Sequence, residues 1–217
     1  MTSMSSMTAE PLALCLTAVL IGVVHTAAGP DHSIPFVAMA RAGGWSPAKT
    51  FWVTTACGLG HVAGSAVLGI VGLTVGGMVL GVEAIDALRG DVASWMLIGL
   101  GAAFLVRGLL QLTRGHVHAH KPIVDAGTPW MLFLIFAFGP SEPLVPLLMV
   151  PASRSGPAAV AGVVAAFAVA TVVTMLGSVF AMRYGAAFVP GLRLGRFDQA
   201  AAGLTLLACG VLVQWGL

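Results

Sequence analysis

The sequence predicts an all-α polytopic membrane protein, with six transmembrane helices arranged as two inverted three-helix repeats. Three observations predict it. Of 217 residues, 58% are hydrophobic and 8% charged, with a mean hydropathy of +0.98, whereas a soluble domain carries about a quarter charged residues. Six apolar segments are near or above the roughly 20 residues that a bilayer span needs. Two of them contain the same kind of polar break, Gly29-Pro30-Asp31-His32 and Gly139-Pro140-Ser141-Glu142-Pro143.

The first span covers 10 to 28 and continues past its break to 41. The first eleven residues hold no Lys or Arg, so they lack the basic start of a secretory signal, and this segment is expected to stay. Gly43-Gly44-Trp45-Ser46-Pro47 then turns the chain into a second span at 48 to 80. The polar stretch Glu83 to Asp91 reads as a connection, with Glu83, Asp86 and Asp91 as solvated loop charges, before a third span at 91 to 113. A loop at 114–128 carries Gly115-His116-Val117-His118-Ala119-His120. The fourth, fifth and sixth spans lie at 129 to 150, 156 to 182 and 197 to 216, punctuated by Ser153 to Pro157 and by Val189-Pro190-Gly191. Residues 1–217 thus form one transmembrane domain, with halves at 1–113 and 129–217. Trp45, Trp95, Trp130 and Trp215 fall near span ends, where an aromatic belt would place them.

With six spans, Arg41, Lys49, Arg114, Lys121, Arg183, Arg193 and Arg196 lie on one side, and Arg89 and Arg154 on the other. The positive-inside bias puts the first side in the cytoplasm and both termini outside it. Aligning the breaks makes glycine, proline and the later Met39 and Met149 coincide, with an acidic residue in each. Three spans per half is an odd number, so the second half enters the membrane in the opposite sense and the broken helices meet near the midplane.

Proline lacks an amide proton, so Pro30 frees the carbonyl of Thr26, Pro140 that of Phe136 and Pro143 that of Gly139. Freed carbonyls at bilayer depth suit a cation, because irregular backbone there needs protein or a water-filled cavity to satisfy it. Ionisable groups inside a span are costly enough to mark function. His25 and His32 lie seven apart with Asp31 beside them, and His61 sits in Gly58-Leu59-Gly60-His61, deep in the second span. Three imidazoles with the carboxylates of Asp31 and Glu142 suit borderline metals such as Ni, Co, Zn or Fe(II) better than Mg or Ca. His116, His118 and His120 can form a secondary metal antenna in their loop. Met39 and Met149 read as core. Cys15, Cys57 and Cys209 are isolated, with no paired spacing that would make a redox or thiolate site. The formal charge of +2 is dispersed over loops, so nucleic acid is not an expected partner. Neither an organic cofactor nor a nucleophile motif is expected, so no enzyme activity is.

His25-Thr26-Ala27-Ala28-Gly29-Pro30-Asp31-His32, then Gly58-Leu59-Gly60-His61, then Phe138-Gly139-Pro140-Ser141-Glu142-Pro143 resemble the signatures of the nickel/cobalt transporter superfamily, especially its NicO and UreH-like branch. The resemblance covers most of the chain in order. It implies metal-binding roles for His25, Asp31, His32, His61 and Glu142. Five residues rather than the family's four separate His25 from Asp31. An added residue turns a helix by about 100°, so His25 shares the site only if the break absorbs that rotation. Broader relatives include sulfite exporters and thiol-electron carriers, and the lack of paired cysteines argues against the latter.

The expected function is therefore a secondary transporter that carries a divalent transition metal, nickel or cobalt first, across a bacterial-type inner membrane by alternating access. Metal ligands must be deprotonated, which makes proton antiport a natural driving force for export. The alternatives are a metal-holding accessory factor for urease or hydrogenase maturation, and a sulfite or small-anion exporter. Lipid and the transported ion are the expected partners, and a homo-oligomer is compatible with the sequence. Direction, metal identity and coupling ion are not encoded legibly.

Overall fold

The structure is a computed structural model that describes residues 3–74, 79–113, 127–139, 147, 156–185 and 195–215. Among them every regular element is helical. In chain order these are α1 (Ser3–Ala28), a 3-10 turn (Pro30–His32), α2 (Ile34–Ala42), α3 (Pro47–Thr74), α4 (Val79–Thr113), α5 (Gly127–Ala137), α6 (Gly156–Gly185), a second 3-10 turn (Gly195–Phe197) and α7 (Asp198–Gln214). Four stretches are long and apolar enough to cross a membrane: Glu10–Ala28, Pro47–Val71, Ala84–Thr113 and Gly156–Gly185. The expected fourth and sixth spans coincide with two shorter apolar helices, α5 and α7.

The first break forms where the sequence places it. Pro30 cannot donate to the helix, and a residue before proline is pushed out of the helical region. Gly29 accordingly sits at φ −76°, ψ 109°, and its amide closes α1 on the His25 carbonyl at 3.0 Å. One 3-10 turn follows, then Ser33, and Pro35 falls in the first turn of α2, where its missing N–H costs nothing. At the far end of α2, Gly44 takes φ +57° and the Trp45 amide returns to the Ala40 carbonyl at 2.8 Å. Ser46 caps α3 by accepting the Lys49 amide at 3.1 Å.

The expected connection at Glu83 to Asp91 is instead part of α4, which runs unbroken for 35 residues, about 52 Å. The stretch has no proline, and Asp86 and Arg89 are used inside the fold. Asp86 is 6% exposed and pairs with Arg89 at 3.3 Å, one turn on. Asp91 accepts from the Gln214 amide at 3.2 Å. Asp86 is therefore a buried helix charge, and Asp91 an exposed one on the same helix rather than in a loop.

Helices pair as α4 with α7, α1 with α6, α3 with both α5 and α6, and α2 with α7. The α4–α7 seam is antiparallel and nearly bare of side chains. Gly101 faces Leu207, Gly203 faces Leu105, Gly108 faces Ala200 and Gly210 faces Ile98, and a Cβ on any of the four would stand within 3 Å of partner backbone. Small residues let apolar helices gain close van der Waals contact where lipid offers no hydrophobic drive. The main core gathers Phe36, Met39, Leu97, Phe104, Leu132, Phe136, Met175 and Leu206, with Met39 fully buried as expected. The outward faces carry Leu12, Leu16, Leu20, Val169, Val173 and Leu204, suited to lipid.

Two polar clusters mark opposite ends of the bundle. At the Trp45 end, Arg41 meets Asp198 at 3.1 Å, Lys49 lies 5.1 Å over the Trp45 ring, and Arg183 reaches Thr50 and the Trp45 carbonyl. At the Gln214 end, Ser94 donates to Gln214 Oε1 and to the Asp91 carbonyl.

Candidate metal centre

Three elements converge at mid-bundle. The last turn of α1 brings His25, the 3-10 turn brings Asp31 and His32, and α3 brings His61. One ligand atom from each of the three imidazoles lies within 4.8 Å of the others. Ring centroids are 4.9 Å apart for His25 and His32, 5.2 Å for His32 and His61, and 6.5 Å for His25 and His61. On an unbroken helix seven residues climb about 10 Å, so it is the break that closes His25 onto His32. The break thereby brings His25 into the group.

The hydrogen bonds fix how the rings present themselves. His32 Nδ1 lies 2.9 Å from Asp31 Oδ1, and His61 Nδ1 lies 3.2 Å from the Phe136 carbonyl oxygen. Both oxygens accept, so in each ring Nδ1 carries the proton and Nε2 keeps its lone pair. The Nε2 atoms of His25 and His32 are buried with no hydrogen-bond partner among the described residues. Ligating histidines commonly donate their second N–H to a carboxylate or backbone carbonyl, which sets tautomer and ring direction. A tetrahedral ion with bonds of about 2 Å holds nitrogens about 3.4 Å apart, so the widest pair closes by roughly an ångström on an ion.

Asp31 therefore faces His32 and stands beside the nitrogen group, adding negative charge to it. Asp31, His32 and His61 line a cavity walled by Ser94 and Leu97 of α4, Ile135 and Phe136 of α5, Gly139 and Val213 of α7. The start of the second break is thus at the site. A Cβ on Gly139 would stand 3.2 Å from His61 Nδ1, and one on Gly29 would stand 2.5 Å from His32 Nδ1 and 2.7 Å from Asp31 Oδ1. Both glycines are needed for close approach to an imidazole.

One expectation changes. The Phe136 carbonyl, released because Pro140 has no N–H, does not turn to a cation. It accepts from His61 and from the Gly139 amide at 3.1 Å. The neighbouring Ala137 carbonyl accepts from Arg89 Nη2 at 2.9 Å. Pro140, Ser141, Glu142, Pro143 and Met149 lie outside the described residues, as do His116, His118 and His120. Cys57 and Cys209 are buried, Cys15 is half-buried, and all three are free.

Sequence reasoning missed Ser94, the Asp86–Arg89 pair and the carbonyl that orients His61. The three-residue spacing of Asp86 and Arg89 was a usable signal, since a pair so placed on a helix shares a face. The other two depend on contacts between distant segments. Comparison with protein-family models, curated proteins and solved structures finds no match for this chain.

Proposed function

We propose that the protein is a secondary transporter that carries a divalent transition-metal ion, nickel or cobalt first, across the cytoplasmic membrane. The single observation that carries this is the imidazole trio inside an apolar bundle, with one nitrogen of each ring within 4.8 Å of the others and two of the rings tied through Nδ1. Nitrogen-rich sites of this kind favour borderline metals over Mg and Ca. Asp31 offsets the charge of the ion and orients His32. Protonating any of the rings removes a ligand, so affinity is expected to fall as pH falls, which suits exchange against protons.

Helix pairing supports an inverted repeat as the basis for alternating access. If the halves exchange, span one takes the place of span four, two of five and three of six. The α1–α6 contact then becomes the α5–α3 contact, and the α4–α7 seam maps onto itself. Gly101 and Gly108 fall on Gly203 and Gly210, and Leu105 on Leu207.

The test is metal-resolved flux in proteoliposomes under an imposed pH gradient, with Ni, Co, Zn, Mn and sulfite in parallel. Saturable movement of Ni or Co is the expected result. Tight binding without flux would instead mark a metal-holding accessory factor, and sulfite movement alone would discard the metal site.

A further inference from the structure

The imidazole trio borders a cavity, and the helices that carry it and pack on it hold a set of unusual hydroxyls. Hydroxyls within apolar helices ordinarily bond to the carbonyl one turn back. Thr17, Thr50, Ser65 and Thr205 do so, at 2.8 to 3.0 Å. Thr26, Thr54 and Thr171 are 0% exposed, yet their Oγ1 atoms have no hydrogen-bond partner among the described residues, and nor has that of Thr55. A dry, unpaired hydroxyl is costly in a bundle whose surroundings offer no water.

These threonines are placed in order. Thr50, Thr54, His61 and Ser65 are all buried on α3, at spacings of four, seven and four, which is one helical stripe. Gly58 abuts Val172 and Met175 of α6, and Arg183 of α6 reaches Thr50, so the two helices are antiparallel and Thr171 is level with His61. Gly22 abuts Phe167 and Ala170, and Cys15 lies beside Gly162. That parallel register of α1 on α6 sets Thr26, the residue after His25, level with Thr171. Thr54 lies two turns, about 10 Å, beyond His61 towards the Trp45 end, and Thr50 one turn further. There Arg183 Nη1 donates to Thr50 Oγ1 at 2.9 Å and Nη2 to the Trp45 carbonyl at 2.8 Å.

We propose that the cation's route to the Trp45 end starts at Thr26 and Thr171, level with the imidazole trio, and passes Thr54, and that Arg183, clamped on Thr50 and Trp45, is the barrier that closes it. The proposal rests on the transport function argued above. Neutral hydroxyl oxygens replace part of an ion's hydration shell without holding it, which is what a route needs and a storage site does not. A fixed guanidinium in a low-dielectric passage repels a divalent cation strongly, so the passage conducts only when the clamp releases.

The test uses the full chain in proteoliposomes with Co²⁺ as probe, measuring equilibrium binding and flux separately. Thr54→Val, close in shape, is expected to lower flux about tenfold, the loss of one hydrogen bond to a charged partner, with Co²⁺ affinity unchanged; Thr54→Ser restores it. For the barrier, Thr54→Cys is placed in a chain whose Cys15, Cys57 and Cys209 are alanine. A membrane-impermeant thiol reagent added from the Trp45 side should label it only when Arg183→Gln is also present. Should that variant fail to fold, Thr50→Val removes one end of the clamp for the same measurement. Wild-type flux in Thr54→Val overturns the route, and labelling indifferent to the clamp overturns the barrier. Wild-type protein that binds Co²⁺ but moves none overturns the transport function and the route with it.

Discussion

The first break and the residues that lead into the second, Phe136 to Gly139, put different parts of the chain to use. At the first, Gly29 to His32, side chains are turned inward: Asp31 holds His32, and the turn folds His32 back against His25. At the second, the end of α5, the backbone is turned inward: the Phe136 and Ala137 carbonyls hold His61 and Arg89. The first break contributes His32 and its acceptor, while the residues leading into the second steady His61 of α3. A proline that strips a helix of one hydrogen bond creates an acceptor, and what fills that acceptor is set by the neighbouring helix rather than by the proline.

That contrast can be broken or sharpened by substitution, with Co²⁺ titration of purified protein as the common measurement. The largest effect is expected from His32→Ala or His61→Ala, each of which removes one of three nitrogens and should weaken binding by more than about 100-fold, beyond what loss of an orienting partner costs. Equal binding in either variant would remove the trio as the site. Asp31→Ala should cost about 10–100-fold, as second partners of ligating histidines do. Asp31→Asn should cost less, because the amide oxygen still accepts from Nδ1, whereas complete loss in the asparagine variant would make Asp31 a direct ligand.

Glycine substitutions compare the breaks directly. Gly29→Ala drives a methyl to 2.5 Å from His32 Nδ1, and Gly139→Ala only to 3.2 Å from His61 Nδ1. The first is expected to weaken binding about tenfold or more and the second severalfold, and the reverse order would place the critical geometry at the second break. Arg89→Ala takes from Asp86 its ion-pair partner and from Ala137 its donor. It should lower unfolding stability by about 3 kcal/mol while leaving affinity unchanged, read by thermal denaturation beside titration. The smallest effect belongs to the loop, where alanine at His116, His118 and His120 together should leave flux intact, and its complete loss would move the main site there.

The sequence made the break at Gly29-Pro30 legible because proline chemistry is local, and the helical class legible because composition sets the solvent. It also picked out His25, His32 and His61, because a single buried imidazole is commonly a core residue but three of them grouped with a carboxylate at a helix break are costly without a shared purpose. It misread Glu83 to Asp91, where charge density looked like a connection. Asp86 and Arg89 pair with each other and Arg89 also reaches the Ala137 carbonyl of α5, which lets the helix continue, and that tertiary partner is not visible in the local pattern. It also could not say that the Phe136 carbonyl would meet His61, because those residues lie 75 positions apart and meet only after α3 docks on α5. The glycines of α4 and α7 were visible as letters, yet their meaning lay in the partner.

That seam has a mechanical consequence. Where backbone touches backbone across four missing side chains, no rotamer can shift to ease a sliding or twisting motion, and packed interiors resist continuous deformation. Whatever rearrangement the molecule undergoes, α4 and α7 are bound to travel as a single strut. Shape change then falls to the other pairs, and among these are α1 and α3, which carry His25 and His61.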